Sequence, residues 1–345
     1  MRRSWEEFFG VRWVAVAPFA GAVVLVLLIA FSFAGGDGNA DNGETSAQPP
    51  ATPEAPAGEP SPAPTAPGDP STSPAATLTT TARVEEPGFT AHFIDVGQAD
   101  ATLLEGPDFA ILIDAGHWQR DEVIPYLESV PVEEIDLLVG THPHADHIGQ
   151  FPQVLGAVEV EEVWMPGYEH DSQTYENTME AIDASGATYT EPRTGDTREI
   201  GDATLTVLNP PGDDGDIHET SISVRIDWGD VSFMFTGDAE EQTERWMVES
   251  GLDLDVDIYQ VGHHGSYTSS TQAFLDAMTP AVAIYSAGED NQYDHPHDVV
   301  IDRLHESGIQ IYGTDLHGTV TVTTGGESYT VETETGEGPL RPGGR

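Results

Sequence analysis

The chain has 345 residues, 60 acidic side chains against 12 basic ones, a formal net charge of −48 and no cysteine. The lack of cysteine excludes disulfides, thiolate metal ligands, cysteine nucleophiles and lipid attachment through sulfur. Every basic residue is arginine, and such an excess of carboxylates repels itself at low salt. At ~1 M salt the screening length falls to about 3 Å, so the composition reads as adaptation to salt-rich surroundings.

In chain order, the first predicted element is a membrane-spanning helix. No charged residue occurs from Trp13 to Ala34. That is enough to cross a bilayer, which takes about 20 residues, and it exceeds the ~7–15-residue apolar region of a cleaved signal peptide. Arg2, Arg3 and Arg12 precede it and acidic residues follow, so the positive-inside bias puts the rest of the chain outside the cell. The alternative is secretion after cleavage near Ser32-Phe33-Ala34. Residues 1–34 are thus read as an anchor. Residues 35–87, rich in Pro, Ala, Ser, Thr, Gly and acids, read as a disordered stalk. Residues 335–345 read as a disordered tail, and 88–334 as one folded domain.

Within the domain, strands are predicted over 89–96, 100–105, 109–114, 135–141, 160–165, 202–208, 220–228, 231–236, 256–261, 281–286, 309–312, 318–323 and 327–332. Helices are predicted over 121–130, 148–157, 174–185, 239–250, 271–278 and 296–306. By itself this alternation supports a mixed α/β domain.

Chemistry concentrates at strand ends. His142-Pro143-His144-Ala145-Asp146-His147 places three imidazoles and a carboxylate on a strand-to-helix loop. Neutral imidazole with carboxylate suits borderline divalent metals such as zinc. Four candidate ligands so close together suggest two metals sharing a site, which requires a bridging carboxylate. Asp238 ends the strand before Thr236-Gly237, and His263-His264 follow another strand between glycines. Asp114 ends the apolar run 109–113. It reads either as a turn former or as a residue that orients a ligating histidine.

These residues carry a resemblance. Phe93-Ile94-Asp95-Val96-Gly97-Gln98-Ala99-Asp100, Ile113-Asp114-Ala115-Gly116, Thr141–Gly149 with its His-x-His-x-Asp-His core, Thr236-Gly237-Asp238, Gly262-His263-His264-Gly265-Ser266 and His295-Pro296-His297 occur in that order. The chain resembles a metallo-β-lactamase-fold hydrolase, and within that superfamily the soluble hydrolase domain of the competence protein ComEC. The resemblance implies an αββα sandwich with two metal ions, zinc or manganese, at one edge. It assigns His142 and His144 to the first metal, Asp146, His147 and His264 to the second, and Asp238 to the bridge. His218 is the candidate third histidine of the first metal. Some relatives have such a ligand and ComEC-like chains lack it. His263 and His297 would touch substrate oxygens, and Asp146 would also orient the nucleophile.

The reaction so implied is two-metal hydrolysis of a phosphodiester, either nucleic acid or a phosphorylcholine-type ester. Carboxylic ester or lactam hydrolysis is the alternative, as is a surface binding module that kept only the fold. One apolar span cannot form a DNA channel. Arg193, Arg198, Arg225, Arg245 and Arg303 are scattered, so charge does not support a nucleic-acid groove. The expected partners are therefore a small-molecule or phosphodiester substrate and the membrane, with a haloarchaeal type of host.

Overall fold

The apolar runs of the sequence pair into two sheets, and the chain enters them in an order that brings strand ends together. The computed structural model describes residues 88–343 apart from 131, 213 and 214. The expected membrane helix in 1–34 and the stalk over 35–87 lie outside the described residues. No helix among the described residues is long and apolar enough to cross a membrane.

The first half runs β1 (Phe89–Phe93), β2 (Thr102–Glu105), β3 (Ala110–Ile113), α1 (Val123–Ser129), β4 (Glu134–Val139), α2 (Phe151–Ala157), β5 (Glu159–Trp164), α3 (Gln173–Ser185) and β6 (Thr188–Thr190). The second runs β7 (Thr197–Ile200), β8 (Ala203–Asn209), β9 (Ser223–Trp228), β10 (Val231–Phe235), α4 (Glu241–Ser250), β11 (Ile258–Gln260), α5 (Gln272–Met278), β12 (Val282–Tyr285), α6 (Asp298–Glu306), β13 (Gln310–Gly313) and α7 (Thr314–His317). The strands β14 (Val320–Thr324) and β15 (Tyr329–Thr333) then return to the first sheet. One sheet has the order β15-β14-β1-β2-β3-β4-β5-β6 and the other β13-β12-β11-β10-β9-β8-β7. β3 to β6 are parallel, as are β10 to β13, so helices must carry the chain back across the outer faces.

Three apolar layers follow. Phe89, Phe93, Ile111, Val139, Val224, Phe233 and Phe235 fill the space between the sheets. Phe93 stacks on Phe235 with ring centroids 6.0 Å apart, and Phe89 meets Phe233 at 5.3 Å. Val123, Leu127, Phe151, Val154 and Ile182 seal α1 to α3 on one outer face. Met247, Phe274, Leu275, Val300 and Leu304 seal α4 to α6 on the other. β3 and β10 are buried at every position because both their faces are covered, which is why they read as unbroken apolar runs. This is the expected sandwich of two sheets between helices.

Two differences have physical causes. β6 and β7 were not predicted, because Thr188–Thr190 and Thr197–Ile200 are short, polar edge strands with little alternation. Residues 335–340, expected within a disordered tail, pack back onto the domain. Thr335 N–H donates to the His317 carbonyl at 2.8 Å and Leu340 N–H to the Ile311 carbonyl at 2.7 Å. Leu340 also rests on the core beneath α4 to α6. One apolar side chain and backbone pairing hold this segment, and neither shows in its Gly/Pro composition.

The loop after β4 is built against neighbouring backbone at Gly149. A Cβ there would sit 2.2 Å from Trp118 N and 2.3 Å from Ala145 O. Gly149→Ala is therefore expected to cost roughly 1–3 kcal/mol of overpacking, which for a domain of this size lowers the melting temperature by about 5 °C. Thermal unfolding followed by circular dichroism checks this. An unchanged midpoint would mean that the loop is not held in this conformation.

Candidate metal centre

The ends of β3, β4, β10 and β11 deliver the polar side chains. The loop after β4 carries His142, His144, Asp146 and His147. It is strapped to its neighbours by Asp100 N–H to the Asp146 carbonyl at 3.0 Å and Ala115 N–H to the His147 carbonyl at 2.6 Å. Gly237 turns the chain after β10 with φ 51°, and a Cβ there would meet Ser221 Oγ at 2.5 Å. Only glycine fits that corner, which aims Asp238 inward. After β11, His263 and His264 both take left-handed backbone, at φ 51° and 55°. Such conformations are costly for non-glycine residues and concentrate at functional sites.

The Asp238 carboxylate is the meeting point. Its Oδ1 lies 3.3 Å from His147 Nε2 and 3.8 Å from His264 Nε2. Its Oδ2 lies 3.4 Å from His142 Nε2 and 3.5 Å from His263 Nε2. His142, His147, His264 and Asp238 are all buried. His144 Nδ1 lies 2.9 Å from His142 Nε2, and Asp146 Oδ2 3.5 Å from His264 Nε2.

An outer layer fixes the ring orientations. Asp114 accepts from Thr141 N–H at 2.9 Å, Thr141 Oγ–H at 2.8 Å and His147 Nδ1–H at 2.7 Å. It thus fills both roles considered for it, turning the chain at φ 57° and orienting His147. His264 Nδ1–H donates to the Ser286 carbonyl at 3.0 Å. Each ring then presents Nε2 to the centre as a ligand lone pair.

The donor set fits a cation. His147 Nε2, Asp238 Oδ1 and His264 Nε2 are buried without a hydrogen-bond partner. Buried polar atoms are nearly always satisfied, so three facing one another call for a shared partner. Ligand atoms of His142, His144 and Asp238 lie within 4.8 Å of one another, as do those of Asp146, His147 and His264, and those of His218, Asp238 and His263.

The electrostatics agree. Burial works against charge on His147, yet Asp238 and Asp114 raise it well above the usual imidazole range. Burial likewise opposes charge on His264, but Asp238 and Asp146 lift it to about 9. Burial acts to raise Asp238, but His147, His263, His142 and His264 together hold it well below the usual carboxylate range. His144 is pushed down to about 3 by burial and by His142 and His147, and burial lowers His263 as well.

His218 reaches the centre. Its ring lies 5.1 Å from that of His144 and 5.0 Å from that of His263. His263 comes closer to the ligand cluster than a purely substrate-facing residue would. His297 is not among the residues lining the central cavity, although its ring lies 4.9 Å from that of His295. It sits at the start of α6, where its Nδ1 accepts from Tyr267 N–H at 3.2 Å. His295 lines the cavity instead, its ring 6.1 Å from that of His264. Sequence reading also missed Asp100, a buried carboxyl that accepts from Gln260 Nε2–H. Burial pushes Asp100 up to about 6. His170 was missed too, its ring 6.1 Å from that of His144. Position within the Gly97-Gln98-Ala99-Asp100 motif could have pointed to Asp100, but nothing local marks His170. The cavity, about 820 Å³, is also lined by Gln98, His117, Arg120 and Tyr293.

Comparison with known proteins bears on the family and the fold. The sequence pattern of the Metallo-beta-lactamase superfamily matches residues 94–289. ComE operon protein 3 of Bacillus subtilis (strain 168) is 29% identical over 247 residues, 66% of this chain and 32% of that one. Competence protein ComA of Neisseria gonorrhoeae is 28% identical over 231 residues, 65% and 30% of the two chains. The chain thus spans about a third of the length of these curated relatives. Among solved structures, a mutant of the Streptomyces venezuelae beta-hydroxylase CmlA superposes with a TM-score of 0.50 at 16% identity, over 69% of this chain and 54% of that one. That likeness shows the fold.

Two outcomes follow for the centre. Asp114→Ala is expected to weaken zinc affinity by about 10–100-fold, measured by competition with a chromophoric chelator, because His147 loses the group that orients it. Unchanged affinity would remove Asp114 from that role. In chelator-stripped protein, the raised His147 and His264 contribute stability that is fully present below the unfolded imidazole value of about 6.5 and is lost as pH rises through the folded value, about 9 for His264. The stripped protein should therefore melt lower at about pH 9 than at about pH 6.5. Saturating zinc should remove that difference, since ligating nitrogens carry no proton. Equal melting points at the two pH values without metal would contradict the charge pattern around Asp238.

Proposed function

Because the chain belongs to the metallo-beta-lactamase superfamily, we propose that it is a membrane-anchored hydrolase that uses two divalent metal ions, zinc or manganese, to cleave phosphodiesters. The observation that carries this reading is the division of one carboxylate. Asp238 Oδ2 faces His142 and His263, while Oδ1 faces His147 and His264. In this reading His142, His144 and His218 would hold one metal and Asp146, His147 and His264 the other, with Asp238 as the carboxylate shared between them. Bound metals of this kind lower the pKa of a coordinated water and neutralise the oxygens of an in-line displacement.

The chain supplies orientation and hydrogen bonding. Asp146, on the cavity wall, can orient the attacking oxygen. Gln98 Nε2–H donates to His295 Nδ1 at 3.3 Å, which leaves Nε2–H of that ring as a donor toward a substrate oxygen. Burial, with His264, His263 and His297, pushes His295 down to about 4, so it acts as a neutral donor near pH 7. Relatives named for competence and recombination fit a nucleic-acid phosphodiester. Residues 88–334 would then work outside the cell on the stalk and anchor read from 1–87, in a medium salty enough to screen the net charge of −48.

Two measurements test this. Zinc- or manganese-loaded protein in about 3 M KCl, where screening is strong, is expected to hydrolyse bis-p-nitrophenyl phosphate, and Asp238→Ala should reduce the rate to background with loss of bound metal. Turnover confined to a β-lactam or carboxylic ester would overturn the phosphodiester reading. The melting temperature should fall between about 3 M and about 0.1 M salt as the screening length grows to about 10 Å. A constant value would remove the salt adaptation.

A further inference from the structure

The cavity beside the metal cluster has features that metal binding does not use. Tyr293 is 52% exposed on its wall. Asn291 Oδ1 accepts from both Tyr293 N–H and His295 N–H at 3.1 Å, and Asn291 Nδ2–H donates to the carbonyls of Gly288 and His295. These bonds hold the backbone from which the ring projects. Tyr293 also continues a pile of rings that starts at the metal centre. His295 lies at 25° to His264, and Tyr293 at 27° to His295 with centroids 5.6 Å apart.

The second feature is Arg120, the arginine on the wall of this cavity among the described residues. Its Nε–H donates to Glu122 Oε1 at 2.7 Å and its Nη2 pairs with the same carboxylate, which holds the guanidinium in place. The group lies over Gly97, where a Cβ would be 2.9 Å from Arg120 Cζ. The glycine of the Asp95-Val96-Gly97-Gln98 motif thus makes room for a cation at the mouth of the site.

We propose that Tyr293 and Arg120 form a nucleotide subsite beside the metal cluster, Tyr293 stacking on a nucleobase and Arg120 pairing with the phosphate next to the scissile one. This rests on the phosphodiesterase reading and names its substrate as single-stranded nucleic acid, whose unpaired bases are free to stack. The physical setting favours stacking. Glu289, Asp290 and Asp294 surround the ring in sequence and disfavour phosphate there, and at molar salt charge attraction is weak while stacking persists. A quaternary ammonium could also sit on a tyrosine face, but its recognition uses a cage of several rings, and Arg120 would repel it.

The test uses the full chain, zinc-loaded, in molar salt. A short oligothymidylate is compared with an abasic oligomer of equal length. The wild type is expected to favour the base-bearing strand by about tenfold in kcat/KM. Tyr293→Ala should bring that ratio close to unity, while Tyr293→Phe keeps it. Arg120→Ala should lower kcat/KM on both strands and leave the ratio. Equilibrium binding of labelled oligothymidylate to chelator-stripped protein should weaken by a similar factor in Tyr293→Ala. Equal rates on the two strands, or an unchanged ratio in Tyr293→Ala, would overturn the subsite. So would a Tyr293-dependent preference for p-nitrophenyl phosphorylcholine, which would assign the ring to a cation. If no phosphodiester is cleaved yet Tyr293-dependent binding remains, the hydrolytic reading fails and the subsite stands.

Discussion

The buried Asp238 carboxylate is the constraint on which the rest of the centre depends. A charge taken out of water is costly unless paired, and here it faces four imidazoles from two separate loops. Much of the surrounding architecture serves to bring those rings to it. Gly237 and Ser221 shape the corner from which it projects, and Ser221 Oγ accepts from Asp238 N–H at 3.2 Å. Asp114 and the Ser286 carbonyl set the proton positions of His147 and His264. The left-handed backbone of His263 and His264 lets adjacent residues both approach. The two-sheet sandwich is thus a means of holding strand ends, with their loops, at one edge.

What was legible in the sequence follows from how local the signal is. The His142–His147 run states its chemistry within six residues, and the apolar strands before it and before Asp238 and His264 place each on a strand end. The helices α1 to α6 were readable from the pattern of apolar residues along the chain. The assignment between His295 and His297 was not readable. Both flank Pro296, and only the fold shows that His297 is drawn to Tyr267 while His295 keeps to the cavity. Arg120 and Tyr293 carry no local mark, since exposed loop residues follow no periodicity. β6 and β7 were lost for the same reason, as polar edges without alternation.

The net charge of −48 and the interior chemistry act at different ranges. Surface carboxylates interact over a screening length that salt shortens to a few ångströms. The buried centre is shielded from that solvent, so its imidazole–carboxylate contacts keep their strength when the surface is screened. Under the proposed salt-rich conditions, a site built from ligation, hydrogen bonds and stacking would keep its strength. That is the inventory around Asp238, His295 and Tyr293.

The central claim is that one carboxylate joins two metal positions in a single centre. Native mass spectrometry of the zinc-loaded protein counts them directly. The account predicts two metal ions per chain, with the doubly loaded form dominating over the singly loaded one as zinc is added. A plateau at one ion per chain, with Asp238 intact, would contradict it.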